Sequence, residues 1–438
     1  MRFIMHILLI FLCLMIFQTK GQNGWTDQTP ASIDLTDIAL KGIWAIDSEN
    51  IWVVGQNGTI LHSTNGGDDW VKVNTDYIDD YNSIIFLNPD TGFITGTPRT
   101  DDYAFILKTV DAGVTWSRDR LPGGTQQVAF DLEFYYSEST QTYTIYATGG
   151  LWHVWKTQDI GENWSGLSGN CGNGNFNACC FIDENTGWFV GTPAYALDTS
   201  IVKTIDGGNT FFGQVNPNNI KLNAVSFISP NVGIAVGLEN QILYTNDGGT
   251  NWVNRSDLVY HRWWSCDIKE SGNAWAVGKD GKVAYSTDFF ENWIYQNSGQ
   301  SGELWKVYFI DDNEGWILGG GIGNPGLILH TTSGGIATSI NQETIDIPVY
   351  LAQNYPNPFS QLTEITFGLS KTSKIQLDIL NINGQLVRRL VTGTFDAGTH
   401  NVKWDGKDSD EKHVSEGTYL YRLSADGIVK TKSMVRMQ

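Results

Sequence analysis

Thr245-Asn-Asp-Gly-Gly-Thr-Asn-Trp252 decides the fold, because the chain carries it six times. The other copies are Ser63-Thr-Asn-Gly-Gly-Asp-Asp-Trp70, Thr109-Val-Asp-Ala-Gly-Val-Thr-Trp116, Thr157-Gln-Asp-Ile-Gly-Glu-Asn-Trp164, Thr204-Ile-Asp-Gly-Gly-Asn-Thr-Phe211 and Ser286-Thr-Asp-Phe-Phe-Glu-Asn-Trp293. Their closing aromatics lie 41 to 48 residues apart. A decayed seventh copy, Thr331-Thr-Ser-Gly-Gly335, lacks the aromatic. The side-chain oxygen of Asp or Asn accepts backbone N–H groups in a tight turn, Gly supplies positive φ, and the aromatic covers the turn from a flanking strand. The motif marks a hairpin. Asn65, Asp111, Asp159, Asp206, Asp247 and Asp288 are therefore read as structural staples and not as catalytic acids.

Upstream of each copy runs a short apolar stretch ending in Gly, such as Ile51-Trp-Val-Val-Gly55, Gly187-Trp-Phe-Val-Gly191, Ala274-Trp-Ala-Val-Gly278 and Gly315-Trp-Ile-Leu-Gly319. Another run precedes it, as in Asn223-Ala-Val-Ser-Phe-Ile228. β-Branched and aromatic runs of four to six residues punctuated by Gly and Asp read as strands. Each unit holds three strands before the staple and one after it, the signature of a propeller blade. Seven units predict an all-β, seven-bladed β-propeller over residues 22–338. The seventh staple lacks its aromatic, and Asn23-Gly-Trp25 stands alone near the amino terminus. Trp25 is expected to fill the gap by closing the ring on the strand around Leu327–Thr331, which removes an exposed edge.

The staples resemble the Asp-boxes of the bacterial neuraminidase repeat. Together with the Gly-Trp-x-Val-Gly strand they resemble photosystem II assembly-factor-like propellers, over about residues 23–338. The resemblance implies a propeller whose relatives include sialidases, xyloglucanases, sorting receptors and non-catalytic assembly factors. Asn65 in the first box, Phe290 in place of Gly in the sixth and the degenerate seventh depart from the pattern.

The chain has 438 residues, 12% aromatic and 17% charged, with 17 Trp, enough to bury a large core and exclude a disordered chain. Its 28 Lys and Arg against 47 Asp and Glu give a net charge of −19. Such a balance leaves no electrostatic footprint for nucleic acid. Residues 1–21 read as a secretory signal peptide: Arg2, an apolar run from Ile7 to Phe17, and small Thr19 and Gly21 before the cleavage point. The run is too short to span a bilayer, and no other stretch approaches spanning length. Export permits disulfides. Cys171 lies close to Cys179 and Cys180 in sequence, so a bridge from Cys171 to Cys179 or Cys180 is expected, and not to Cys266 two blades away. No Cys/His cluster has metal-site spacing, and no cofactor motif occurs.

A polar linker, residues 339–345, leads into a second module over 346–438. Six alternating strands, beginning near Glu364, Lys374, Gln385, His400, Gly417 and Val429, follow an extended, proline-bearing entry and argue an immunoglobulin-like β-sandwich. Asn354-Tyr-Pro-Asn-Pro-Phe359, Ile382-Asn-Gly-Gln-Leu-Val387, Trp404-Asp-Gly406, Gly417-Thr-Tyr419 and Lys432-Ser-Met-Val435 resemble the type A C-terminal sorting domain of the Bacteroidetes type IX secretion system. That resemblance implies export via the periplasm, with the secretion machinery as partner, to the medium or the outer cell surface.

Propeller ligands usually sit at the mouth formed by loops entering the innermost strands and loops joining the second and third strands. Those loops contain Arg99, Asp102, Tyr103, Trp152, Tyr195, Arg262, Trp263, Glu303 and Trp305. Aromatics beside carboxylates and Arg can stack on a sugar or grip a peptide, while Trp44, Trp264 and Trp305 could equally fill the channel. Sialidase chemistry does not fit, because the Arg-Ile-Pro start is missing and the propeller holds few Arg. The reading is a secreted, non-catalytic propeller binding a protein or glycan, with a glycoside hydrolase as the alternative. Hydrolysis needs two carboxylates ~5–9.5 Å apart. Asp131, Glu133, Asp267 and Glu303 lie near inner strands, but no residue is assigned as catalytic.

Overall fold

A computed structural model describes residues 24–99, 103–123, 127–167, 174–194, 199–256, 261–336 and 349–437, apart from 352, 353, 355, 370, 371, 397, 426 and 427. The expected signal peptide, Asp102, Cys171 and Tyr195 lie outside the described residues. The chain forms two compact units that divide at residues 339 and 340.

The first unit is a seven-bladed propeller of four-stranded antiparallel sheets. Their inner strands are Leu40–Ala45 (blade 1), Asp80–Phe86 (blade 2), Ala129–Ser137 (blade 3), Phe176–Phe181 (blade 4), Leu222–Phe227 (blade 5), Trp263–Ile268 (blade 6) and Leu304–Phe309 (blade 7). Second strands such as Ile51–Gly55, Gly233–Gly237 and Ala274–Gly278 are buried at every residue. A strand packed against neighbouring blades on both faces needs a continuous apolar run, which the sequence shows. Outer strands are short and mostly exposed, as in Val71–Lys72 and Val253–Asn254, which limits the free edge each blade offers.

The Asp-boxes repeat one hydrogen-bond pattern. In the fifth, Thr245 Oγ1 donates to Asp247 Oδ1 at 2.9 Å and accepts the Gly249 N–H at 2.8 Å, while Asp247 Oδ1 accepts the Asn251 N–H at 2.9 Å. The first box makes the same bonds with Asn65, and the sixth accommodates Phe290 at φ 61°. Three of the turns also receive a hydrogen bond from the preceding blade. Tyr146 Oη donates to the Gly207 carbonyl at 3.2 Å, Trp188 Nε1 to Gly248 at 3.2 Å and Trp275 Nε1 to Gly334 at 3.1 Å. The staple thus ties a hairpin and also locks neighbouring blades together.

Ring closure follows the expectation. Thr26–Asp27 forms the outer strand of blade 7, Thr26 opposite His330 and Asp27 opposite Leu329. Trp25 is 3% exposed, packs edge-on against Phe309, and donates its indole N–H to Gln296 Oε1 at 3.1 Å.

All seven inner strands slip register by one residue at the same point, immediately after the residue that faces the closing Gly of the second strand. Such a β-bulge leaves one residue unpaired and turns the side chains around it. The bulge explains the recurrent Gly. At Gly278 a Cβ would overlap the Arg262 carbonyl oxygen, and at Gly319 it would stand 2.6 Å from that of Glu303.

The second unit is a β-sandwich. Val349–Leu351, Thr363–Leu369 and Gly398–Trp404 form one sheet; Leu386–Phe395, Ser373–Asn381, Gly417–Ala425 and Ile428–Arg436 form the other. Phe359, Phe367, Leu377, Trp404, Tyr421 and Met434 anchor its core. The Asn-Pro-Phe end of the entry motif clamps the last strand: Phe359 N–H donates to the Val435 carbonyl at 3.0 Å, and Val435 N–H to Asn357 Oδ1 at 2.8 Å.

Candidate functional site

The seven bulged residues are Lys41, Asn82, Phe130, Asn177, Asn223, Trp264 and Trp305, one from each blade. All are half-buried and together line a cavity of about 190 Å³ at one mouth of the axial channel. The bulge aims each of them at the mouth, and hydrogen bonds hold them there. Asn82 Nδ2 donates to the Ala129 carbonyl at 3.1 Å, Asn177 Nδ2 to Leu222 at 2.7 Å and Asn223 Nδ2 to Trp263 at 2.8 Å, each reaching the next blade. Trp264 donates its indole N–H to Glu303 at 2.5 Å, and Trp305 donates to the Gly320 carbonyl at 2.7 Å. The two indoles tilt against each other with centroids 5.2 Å apart, and the Lys41 ammonium lies 5.8 Å over the Trp305 ring. Burial pushes the Lys41 pKa below the usual ammonium range, against the opposing pull of Asp80.

Of the face residues expected from sequence, the structure brings together Glu303 and Trp305. Arg99 pairs with Asp80 at 3.0 Å, and Tyr103 lies under the Arg120 guanidinium at 3.0 Å, both in blade 2. Arg262 is exposed on the strand entry of blade 6. Trp152 ends the short turn Gly150–Trp152. Trp263 is fully buried in the core between blades 5 and 6, its N–H on Asn240 Oδ1 at 3.1 Å, so it supports the mouth without lining it. The bulge turns Trp264 toward the mouth in its place. Lys41, Phe130 and the three Asn were missed. Their signal was a fixed offset: in every blade except the third, whose first hairpin is longer, the mouth residue lies 14 positions before the closing Gly.

Below the ring the channel widens into a cavity of about 370 Å³. Two of its carboxylates serve the fold. Asp131 accepts Ser83 Oγ at 3.1 Å and the Cys179 N–H at 3.3 Å; Asp267 accepts the Phe309 N–H at 2.7 Å and Lys269 Nζ at 3.1 Å. Both tie one blade to another. Glu133 has no such bond, and burial, reinforced by Asp131 and opposed by Lys306, raises its pKa to about 8. Trp44 tilts against Phe134 and Tyr308 in the same space. Cys179, Cys180 and Cys266 form no disulfide among the described residues, and the expected bridge from Cys171 lies outside them; burial pushes all three thiol pKa values up. Among the described residues no helix is long and apolar enough to cross a membrane.

Residues 17–133 match the family model of the photosynthesis system II assembly factor YCF48, and residues 357–427 match the FlgD Ig-like domain. No curated protein sequence matches the chain. A structure of YCF48 bound to D1 peptide is similar to it with a TM-score of 0.56 and 18% identity, over 71% of this chain and 96% of that one. YCF48 from Cyanidioschyzon merolae gives 0.55 and 14%, over 70% and 98%. The WD40 propeller domain of Doa1 gives 0.50 and 16%, over 70% and 97%. At these identities the likeness is one of fold: a β-propeller, followed here by an Ig-like β-sandwich.

Proposed function

We propose that this chain is a secreted or cell-surface propeller that binds a protein or glycan without catalysing a reaction, and that its carboxy-terminal sandwich sorts it through the type IX secretion system. One observation carries the binding reading: seven bulged side chains converge on one mouth, two of them indoles, while the carboxylates beneath are largely spent on holding blades together. A binding surface needs varied, preorganised side chains on a rigid frame, and the bulge ring supplies them. The sorting reading rests on the motifs at 354–359, 404–406 and 432–435, the first of which clamps the last strand, where the third lies.

Glycan and peptide arrays probed with the purified mature protein and with Trp305→Ala test the first part. Specific binding that the variant loses supports it, and unchanged binding overturns it. Deletion of residues 424–438 tests the second in a host with the secretion system, where the protein should stay in the periplasm. The hydrolase alternative has one observation in its favour, the raised pKa of Glu133, which suits a general acid. It would require polysaccharide cleavage that Glu133→Gln abolishes.

A further inference from the structure

The channel contains two charged side chains that the fold leaves unused. Among the described residues Lys306, from blade 7, and Glu133, from blade 3, make no side-chain hydrogen bond or ion pair, although the neighbouring Asp131, Asp267 and Lys269 all do. Lys306 lines both the mouth cavity and the deeper one, whereas Glu133 lines only the deeper one. A group entering through the ring therefore meets Lys306 first. A half-buried ammonium with no hydrogen-bond acceptor can take one from an incoming anion.

At the mouth the carboxylates are already engaged: Glu303, beside the ring, accepts the Trp264 indole N–H. The wall of the mouth carries three charged residues, Lys41, Lys306 and Asp131, and Asp131 already accepts two hydrogen bonds. With those carboxylates already bonded, the Lys306 ammonium is the point at which an anionic group can be held.

Building on the mouth reading, we propose that the ligand is a polypeptide that passes an acidic side chain through the bulge ring to pair with Lys306. The ring favours a peptide over a sugar. Trp305 already has the Lys41 ammonium above it and Trp264 tilted against it, and both indole N–H groups are taken. Little bare aromatic face remains for a pyranose to stack on. Asn177 and Asn223 anchor themselves through Nδ2 and keep their Oδ1 acceptors for the N–H groups of an incoming backbone.

Calorimetric titration of the full mature chain with poly-L-glutamate, poly-L-glutamine and polygalacturonate tests this. Poly-L-glutamate should bind, more weakly as salt rises, and poly-L-glutamine should not. Lys306→Met should lower the affinity about tenfold. Glu133→Gln, which removes a competing carboxylate, should raise it several-fold, and this variant keeps the test alive if Lys306→Met fails to fold. Equal binding of poly-L-glutamate by wild type and a folded Lys306→Met overturns the inference. So does binding of polygalacturonate alone, which would make the anion a glycan's. Loss of binding in Trp305→Ala with none in Lys306→Met would leave the mouth reading standing and sink the acidic anchor. No loss in either would sink both.

Discussion

The two ends of the same strands behave oppositely across the seven blades. At the Asp-box end almost every copy uses the same residues: Ser or Thr first, Asp or Asn third, an aromatic last. At the bulge-ring end the geometry is equally regular, yet the residues run Lys, Asn, Phe, Asn, Asn, Trp, Trp. Repetition of residues marks the end where one turn must be rebuilt seven times. Repetition of geometry with freely varied residues marks the end where the scaffold presents chemistry.

The contrast breaks if the staple end proves dispensable. Trp25→Ala should cost about 4 kcal/mol, since it empties a buried indole site and loosens the ring closure, read as a fall in the urea midpoint. Gly278→Val should cost about 3 kcal/mol by forcing the bulge apart, with a matching loss in midpoint. Asp247→Ala removes the acceptor shared by Thr245 and Asn251 and should cost about 2 kcal/mol, with ligand binding unchanged in the folded fraction. Trp305→Ala should do the reverse, losing binding with a smaller shift in midpoint.

A pH dependence of opposite sign separates the staples from the channel. Hydrogen bonds from Thr157 and Asn163 hold Asp159 at about 2, and the carboxyls of Asp111, Asp206 and Asp247 are lowered in the same way. Their contribution is present above the usual carboxylate pKa and is lost as pH falls below it. Glu133 is raised from 4.5 to about 8, so the folded chain binds more protons than the unfolded one between these values. Stability should fall across that window as pH rises, by at most about 1.4 kcal/mol per pH unit. Glu133→Gln should flatten the slope, and a slope that persists would remove Glu133 as its source.

Blades, staples and closure were legible in the sequence because each rests on local periodicity or turn chemistry. The carboxy-terminal strands were legible for the same reason, with ends shifted by a few residues. The mouth was only half legible. A reading by loop position put Trp263 at the mouth and passed over Lys41, Asn82, Phe130, Asn177 and Asn223, because a one-residue bulge decides which side chains face the channel. Nothing in their residue types links these positions; only the distance to the closing Gly does, constant outside blade 3.

The two-residue clasp at Thr26–Asp27 also sets the order in which the propeller can be finished. The clasp leaves the ribosome about 300 residues before its partner strand, Asn324–Thr332. Joining ends so far apart costs about 5 kcal/mol of chain entropy, growing only logarithmically with length. Until then the growing chain is an open stack with a bare edge at each end. A chain halted before Asn324 has no partner for the clasp, and its exposed edges are suited to pairing with another unfinished chain.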